Sequence, residues 1–288
     1  MLLDESTLNL SFAMFLFCLG ACVGSFLNVV AYRLPLGLSL VRPPSNCPHC
    51  SHPVPWWGLI PIVGWCLVRG KCVNCAGKVS VVYPLVELMV AAGTVYLFFQ
   101  TMTPLDFIAV FSSDGAWVLQ SGRLRYGLVV DLMARLFLFY TAVPLTIIDL
   151  RYRILPDVIT LGTLPVALLL GSADSALGWQ GALTGALVGS GLLYFVAKTY
   201  ELLRGKEGLG FGDVKYMALI GAVLGWQGVL IVLGLASILG SLVGIVFGLS
   251  QRTGLQTALP FGPFLAVAAM VVCLWQPFIL QMFFFENP

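Results

Sequence analysis

Charge is scarce in this chain. Only 15 Lys and Arg and 13 Asp and Glu occur among 288 residues, of which 59% are hydrophobic. With a mean hydropathy of +0.96, such a chain cannot clothe itself in polar groups. That excludes a soluble globular domain and identifies an integral membrane protein. The net charge of +2 supplies no basic field, and no nucleic-acid partner is expected. The start, Met1-Leu2-Leu3-Asp4-Glu5-Ser6, lacks the basic segment of a cleaved secretory signal, so the first apolar run is expected to stay as a membrane anchor. Also missing is any convincing repeat between the two halves. That weighs against an ion-coupled transporter built from inverted repeats, the reading from a different functional class.

What is there is a succession of apolar runs. The predicted architecture is an all-α polytopic membrane protein of about eight transmembrane helices: Leu8–Tyr32, Tyr83–Phe99, Val129–Ile148, Val158–Leu170, Gly181–Ala197, Val214–Leu224, Gly228–Leu249 and Leu259–Phe284. The fourth, bounded by Pro156 and Gly171, is short enough to be a broken helix. Gly225-Trp226-Gln227-Gly228 could instead kink one longer helix, giving seven spans. Under the eight-span reading 12 of the 15 Lys and Arg fall on one side, among them Arg33, Arg42, Arg69, Lys71, Lys78, Arg151, Arg153, Lys198, Arg204, Lys206, Lys215 and Arg252. The positive-inside rule makes that side cytoplasmic. Asp4, Glu5, Asp106, Asp114, Asp174 and Glu286 then face away, with Arg123 and Arg125 as the clear basic pair. The stretch Thr101–Arg125 reads as a polar outside loop with an apolar patch at Phe107–Phe111.

The basic loop between the first two spans, residues 33–80, carries Cys47-Pro48-His49-Cys50 and Cys72-Val73-Asn74-Cys75. Two Cys-x-x-Cys knuckles at this separation match a closed tetrahedral site of four thiolates, a structural zinc that staples a small cytoplasmic domain. Disulfides compete, but a cytoplasmic loop keeps thiols reduced and favours zinc. His49 and His52 are weaker ligand candidates, and Cys66 reads as packing. In the first span Gly20 and Gly24 form a face for close helix contact, and Cys18 and Cys22 read as buried small apolar residues. Asn28 reads as an interhelical hydrogen bonder and Arg33 as a snorkelling cation. Glu87 enters the second span within its first turns, either as a carboxylate at a helix N-terminus or as a functional group.

Two further carboxylates stand at apolar boundaries on the predicted cytoplasmic side. Asp213 follows Gly210-Phe211-Gly212 and precedes Val214-Lys215. The glycines would let an extended substrate backbone lie beside it. For its partner Asp149 and Asp157 compete. Asp157 follows Pro156 and starts an apolar helix, where an acid belongs. Asp149 ends a helix, where the dipole disfavours an anion, and no local role explains it. Asp149 and Asp213 are therefore the expected dyad: one deprotonated to activate water, the other protonated to polarise a peptide carbonyl.

Taken together, Gly210-Phe211-Gly212-Asp213-Val214-Lys215, Asp149 with Leu155-Pro156-Asp157, the double Cys-x-x-Cys, Gly24 to Pro35 and Tyr83-Pro84-Leu85-Val86-Glu87 resemble the bacterial type 4 prepilin peptidases, in the family's order. The resemblance implies cleavage of the leader of type IV prepilins and type II secretion pseudopilins at the cytoplasmic membrane face. It also implies N-methylation of the new terminal residue with S-adenosylmethionine, in the bacterial inner membrane. Within it, Asp149 and Asp213 are the catalytic pair, and Gly210, Gly212 and Lys215 support the substrate loop. Glu87, Asn28 and Arg33 are the candidate methyltransferase residues, and Cys47, Cys50, Cys72 and Cys75 hold zinc. The implied domains are 1–100 for methyl transfer, a non-cytoplasmic loop 101–128 and a peptidase domain 129–288. Val82 stands where the family commonly has Arg, so a leader peptidase without methyltransferase activity is the alternative.

Overall fold

A computed structural model describes residues 5–111, 125–174, 177–205, 210–251 and 259–284. Among them the chain is helical, with isolated β-bridges at Asn46–Pro53 and Lys71–Lys78 and no strand. It divides into two compact units, Met1–Arg125 and Tyr126–Pro288. Five helices are long and apolar enough to cross a membrane, and two shorter apolar helices, Asp157–Ala173 and Gly262–Trp275, accompany them. Lys206, Arg252, Asp4, Asp114, Arg123 and Glu286, which entered the topology argument, lie outside the described residues.

In the first unit α1 (Glu5–Arg33), α2 (Val63–Leu67), α3 (Val82–Thr101) and α4 (Pro104–Phe111) follow one another. Helices α1 and α3 touch backbone to backbone along the small-residue face. A Cβ on Gly20 would meet Ala91 Cα at 2.8 Å, and one on Gly24 would meet Glu87 Cα at 2.9 Å. Because α1 turns this face to α3, Cys18 and Cys22 point the other way and are exposed, not buried as the sequence suggested. Cys66 is exposed as well. Helix α4 replaces part of the expected loop. Thr103 and Asp106 form a reciprocal cap, with the Thr103 N–H donating to Asp106 Oδ2 at 3.0 Å and the Asp106 N–H to Thr103 Oγ1 at 3.2 Å. Pro104 occupies the first helical position, where its missing N–H costs nothing. Phe107 then packs edge-on against Phe12 and Phe98.

The second unit holds α5 (Arg125–Tyr152), α6 (Asp157–Thr160), α7 (Leu164–Ala173), α8 (Gly178–Arg204), α9 (Phe211–Gln251) and α10 (Gly262–Phe284). The fourth predicted span is indeed broken, into α6 and α7. The sixth and seventh lie in one helix interrupted at Gly225, whose φ of 72° and ψ of 176° suit glycine alone. The first half of α9 is the core: Tyr216, Met217, Leu219 and Ile220 are almost wholly buried. Glycines let its neighbours close on it. A Cβ on Gly185 of α8 would strike the Gly221 carbonyl, and one on Gly171 of α7 the Ala222 carbonyl. Such contacts hold a membrane bundle together by dispersion where water offers no driving force.

Candidate functional site: an aspartate pair and a cysteine cluster

Three local structures converge on the carboxylates of the second unit. Asp149 lies in the last turn of α5, buried to 5% exposure, and Asp213 in the first turn of α9, buried to 7%. The link between them is Leu155, in the extended stretch after α5. A Cβ on Gly212 would meet Leu155 Cβ at 2.9 Å, and one on Gly262 would meet Leu155 Cδ2 at 3.3 Å. Gly262 in turn donates its N–H to Asp149 Oδ2 at 2.9 Å. The loop 153–157 thus brings the start of α9 and the start of α10 to the end of α5, and the two aspartates are near enough for their charges to interact.

This corrects two points of the sequence reading. Asp149 does have a structural partner, supplied by another helix. The first turn of α10 has backbone N–H groups with no intrahelical acceptor, and one of them meets the carboxylate. Gly262 itself was missed; its signal was Pro260-Phe261-Gly262-Pro263 ahead of an apolar run. The two glycines before Asp213 also differ in role. The place of a Gly212 side chain is filled by Leu155, whereas among the described residues a Cβ on Gly210 would meet only Asp213 Oδ2, at 3.5 Å. Of the two glycines, only Gly210 leaves room for another chain among the described residues.

Asp157, the rejected competitor, is 61% exposed and pairs with Lys215 Nζ at 2.6 Å. Lys215 also lies over the Phe211 ring, 5.1 Å from its centroid. Its place is thus a tie between the loop after α5 and the first turns of α9.

In the first unit the four cysteines converge. Each knuckle is closed by the same pair of bonds: the Cys47 N–H donates to His52 O and the Ser51 N–H to Cys47 O, both at 2.9 Å, while Cys72 N–H to Gly77 O and Ala76 N–H to Cys72 O repeat the pattern at 2.9 Å. Ser51 and Ala76 both take positive φ, 57° and 55°. The two knuckles are copies of one turn, facing each other. All four sulfurs lie within 4.8 Å of one another, with Cys47–Cys75 at 3.8 Å and Cys50–Cys72 at 3.9 Å. A tetrahedron with metal–sulfur bonds of about 2.3 Å has edges of about 3.8 Å, so the cluster fits such an ion, whereas a disulfide needs about 2 Å.

Backbone donors prepare the thiolates. The N–H groups of Cys75 and Asn74 lower the Cys72 thiol to about 6, and the His52 N–H and Asn74 side chain lower Cys50. The Gly77 N–H favours the Cys75 thiolate, but the crowd of neighbouring sulfurs, Cys50 first, pushes it up to about 11. Four thiolates this close cannot all ionise without a cation among them. The cluster could therefore hold a metal ion such as zinc. Elemental analysis of chelator-free preparations should find about one zinc per chain. Any single Cys→Ser change at Cys47, Cys50, Cys72 or Cys75 should lower that content and open residues 33–80 to protease. Acidification should release the metal, since protons compete for the thiolates. Metal-free protein with an intact, protease-resistant loop would contradict this.

The remaining candidates are tied within the first unit. Asn28 Nδ2 donates to Tyr83 O at 3.1 Å, between α1 and α3. Arg33 does not snorkel: it is buried and its guanidinium donates to Ser39 O at 2.9 Å and Pro44 O at 3.5 Å, shaping the loop after α1. Glu87, buried in the second turn of α3, accepts the Ile62 N–H at Oε2, 2.7 Å away. Its Oε1 has no partner among the described residues.

Comparison with known proteins bears on both units. Residues 18–101 match the bacterial peptidase A24 N-terminal domain, and residues 136–245 match the type IV leader peptidase family. Proteins named prepilin leader peptidase/N-methyltransferase are similar over nearly the whole chain. The one from Stutzerimonas stutzeri is 34% identical, covering 92% of this chain and 91% of its own. That from Aeromonas hydrophila is 35% identical over 91% and 89%, and that from Pseudomonas aeruginosa 32% over 92% and 91%. No solved structure matches the chain.

Proposed function

The chain belongs to the type IV leader peptidase family, alongside proteins named prepilin leader peptidase/N-methyltransferase, and from that membership we propose that it cleaves prepilin leaders with Asp149 and Asp213 and methylates the new N-terminus. The observation that carries the peptidase is the burial of two carboxylates at the ends of separate helices whose neighbouring glycines, Gly212 and Gly262, both pack on Leu155. Close like charges disfavour double ionisation, so the pair holds one proton between them. The ionised member takes a proton from the attacking water as the oxygen bonds to the scissile carbonyl carbon. The protonated member donates to the carbonyl oxygen, and the proton then passes to the leaving nitrogen as the peptide bond breaks. The open flank of Gly210 is where the extended leader would run. Gly212 and Lys215 hold the loop through Leu155 and Asp157.

Methyl transfer belongs to residues 1–100, peptide cleavage to 129–288, and 101–128 is the connection on the non-cytoplasmic side. S-adenosylmethionine would supply an electrophilic methyl group; the chain must hold the amine deprotonated and in line with it. Glu87, one of whose carboxylate oxygens has no partner among the described residues, suits the amine proton or the sulfonium charge, while Asn28 and Arg33 shape the surroundings. Zinc in the four-cysteine cluster is structural, since four protein ligands close the site. The distribution of Lys and Arg supports a cytoplasmic placement of the cysteine loop and both aspartates, and the family resemblance supports a bacterial inner membrane. Pseudopilins of type II secretion, whose leaders share the same chemistry, are further substrates.

Mass spectrometry of a prepilin incubated with the reconstituted protein tests both steps, by loss of the leader and, with S-adenosylmethionine present, gain of one methyl group. No cleavage would reject the reading; cleavage without methylation would favour a peptidase alone and point to Val82. Glu87→Gln separates the activities. Gln keeps an acceptor for the Ile62 N–H and loses the charge, so methylation should fall by about 10²-fold or more, as for a general base, with cleavage little changed. Loss of both activities in a folded protein would make Glu87 part of a shared substrate groove.

A further inference from the structure

The segment between the cysteine knuckles has chemistry that neither the metal site nor the peptidase uses. Trp56–Leu59 forms a 3-10 turn and Val63–Leu67 is α2. Their inner side is accounted for: the Trp65 indole N–H donates to Val79 O at 3.1 Å, and Gly64 packs on the Gly58 backbone. Their outer side is apolar and bare. Trp56 is 78% exposed, and Leu59, Ile60, Val63 and Leu67 are exposed with it. Residues three apart eclipse in a 3-10 turn, so Trp56 and Leu59 share a side. Residues four apart share one in an α-helix, as Val63 and Leu67 do.

Two observations identify what covers this face. Ile62, in the middle of the segment, is bonded to Glu87 in the second turn of α3, a helix of spanning length and composition. The apolar segment is therefore held where α3 enters the bilayer. Its charge is the second. From Leu34 to Val86 there is no Asp or Glu, and the four basic residues, Arg42, Arg69, Lys71 and Lys78, are all exposed. Apolar side chains flanked by unopposed cations bind the interface of an anionic bilayer. We propose that residues 56–67 lie in the headgroup region of the protein's own membrane, with the exposed apolar side chains at the acyl boundary and the basic residues on lipid phosphates. The inference rests on the membrane reading of α1 and α3 and is independent of the peptidase.

The test uses the full chain in lipid nanodiscs containing phosphatidylcholine brominated near the headgroup, with or without phosphatidylglycerol. Trp56→Phe should remove part of the bromine quenching of tryptophan fluorescence. That part should be larger with phosphatidylglycerol and shrink in an Arg69→Gln, Lys71→Gln variant. In the unsubstituted protein, hydrogen exchange of amides 56–67 should be slower in anionic than in zwitterionic discs. Quenching and exchange indifferent to Trp56 and to lipid charge would overturn the proposal. So would protection of the segment only after a prepilin peptide is added, which would make it a polypeptide-binding face. Because leader cleavage is assayed separately, its failure would leave this result standing.

Discussion

Replacing Asp149 or Asp213 with Asn is expected to lower leader cleavage by about 10³-fold or more while the protein still inserts and folds. Asn matches Asp in volume, so Leu155 and the first turns of α9 and α10 keep their packing. At Asp149 the side-chain oxygen can still accept the Gly262 N–H, so the helix contact survives. What disappears is a site that can gain and lose a proton. Under the proposed mechanism the two groups act as one unit, so the double variant should be little worse than either single one. Asp157→Asn is the control. Its partner Lys215 lies 2.6 Å away, but Asp157 is 61% exposed, so losing that pair should cost at most about 1 kcal/mol of stability and leave cleavage near normal. The measurement is initial cleavage rate on a prepilin, with circular dichroism and thermal unfolding to show folding. Full activity in either Asn variant at 149 or 213 would sink the assignment of the pair.

Gly262→Val should be nearly as damaging, through geometry alone. A Cβ at this position would stand 2.6 Å from Asp149 Oδ2 and 3.3 Å from Leu155 Cδ2. Both neighbours are side chains, and the nearer is the Asp149 carboxylate itself, held by the Gly262 N–H, so Asp149 must give up its place. Displacing a reacting group by about 1 Å costs about 10²-fold in rate, and that loss should appear in kcat with KM little changed, because the proposed substrate path beside Gly210 does not involve Gly262. Gly262→Ala should fall between. Gly240→Ala, whose Cβ would meet its nearest neighbour at an ordinary 3.5 Å, should be neutral. Wild-type rates in Gly262→Val would show that the Gly262 contact does not position Asp149.

The amino-acid sequence by itself determined whatever depends on spacing or on counts. Scarce charge and long apolar runs required membrane helices, since a backbone in hydrocarbon must satisfy its own hydrogen bonds. The paired Cys-x-x-Cys spacing required a four-sulfur cluster, because each short turn can aim both of its thiolates at one point. Asp213 was legible because its carboxylate sits behind two glycines at an apolar boundary. Gly20 and Gly24 were legible as a contact face because their spacing is that of a helix turn.

Only the tertiary structure decided who meets whom. No local pattern could pair Asp149 with the Gly262 N–H, because they are 113 residues apart in the chain. Nor could it tell that Leu155 fills the space of one glycine and not the other. The same holds for Glu87, whose carboxylate reaches the Ile62 N–H across the cysteine loop. Exposure of Cys18 and Cys22 was misjudged for the same reason. Which side of an apolar helix packs is chosen by its partner, and hydropathy does not mark it when both sides are apolar. Helix α4 was missed differently: its Thr103–Asp106 cap was in plain view, but eight residues are too few for periodicity to outweigh a polar setting.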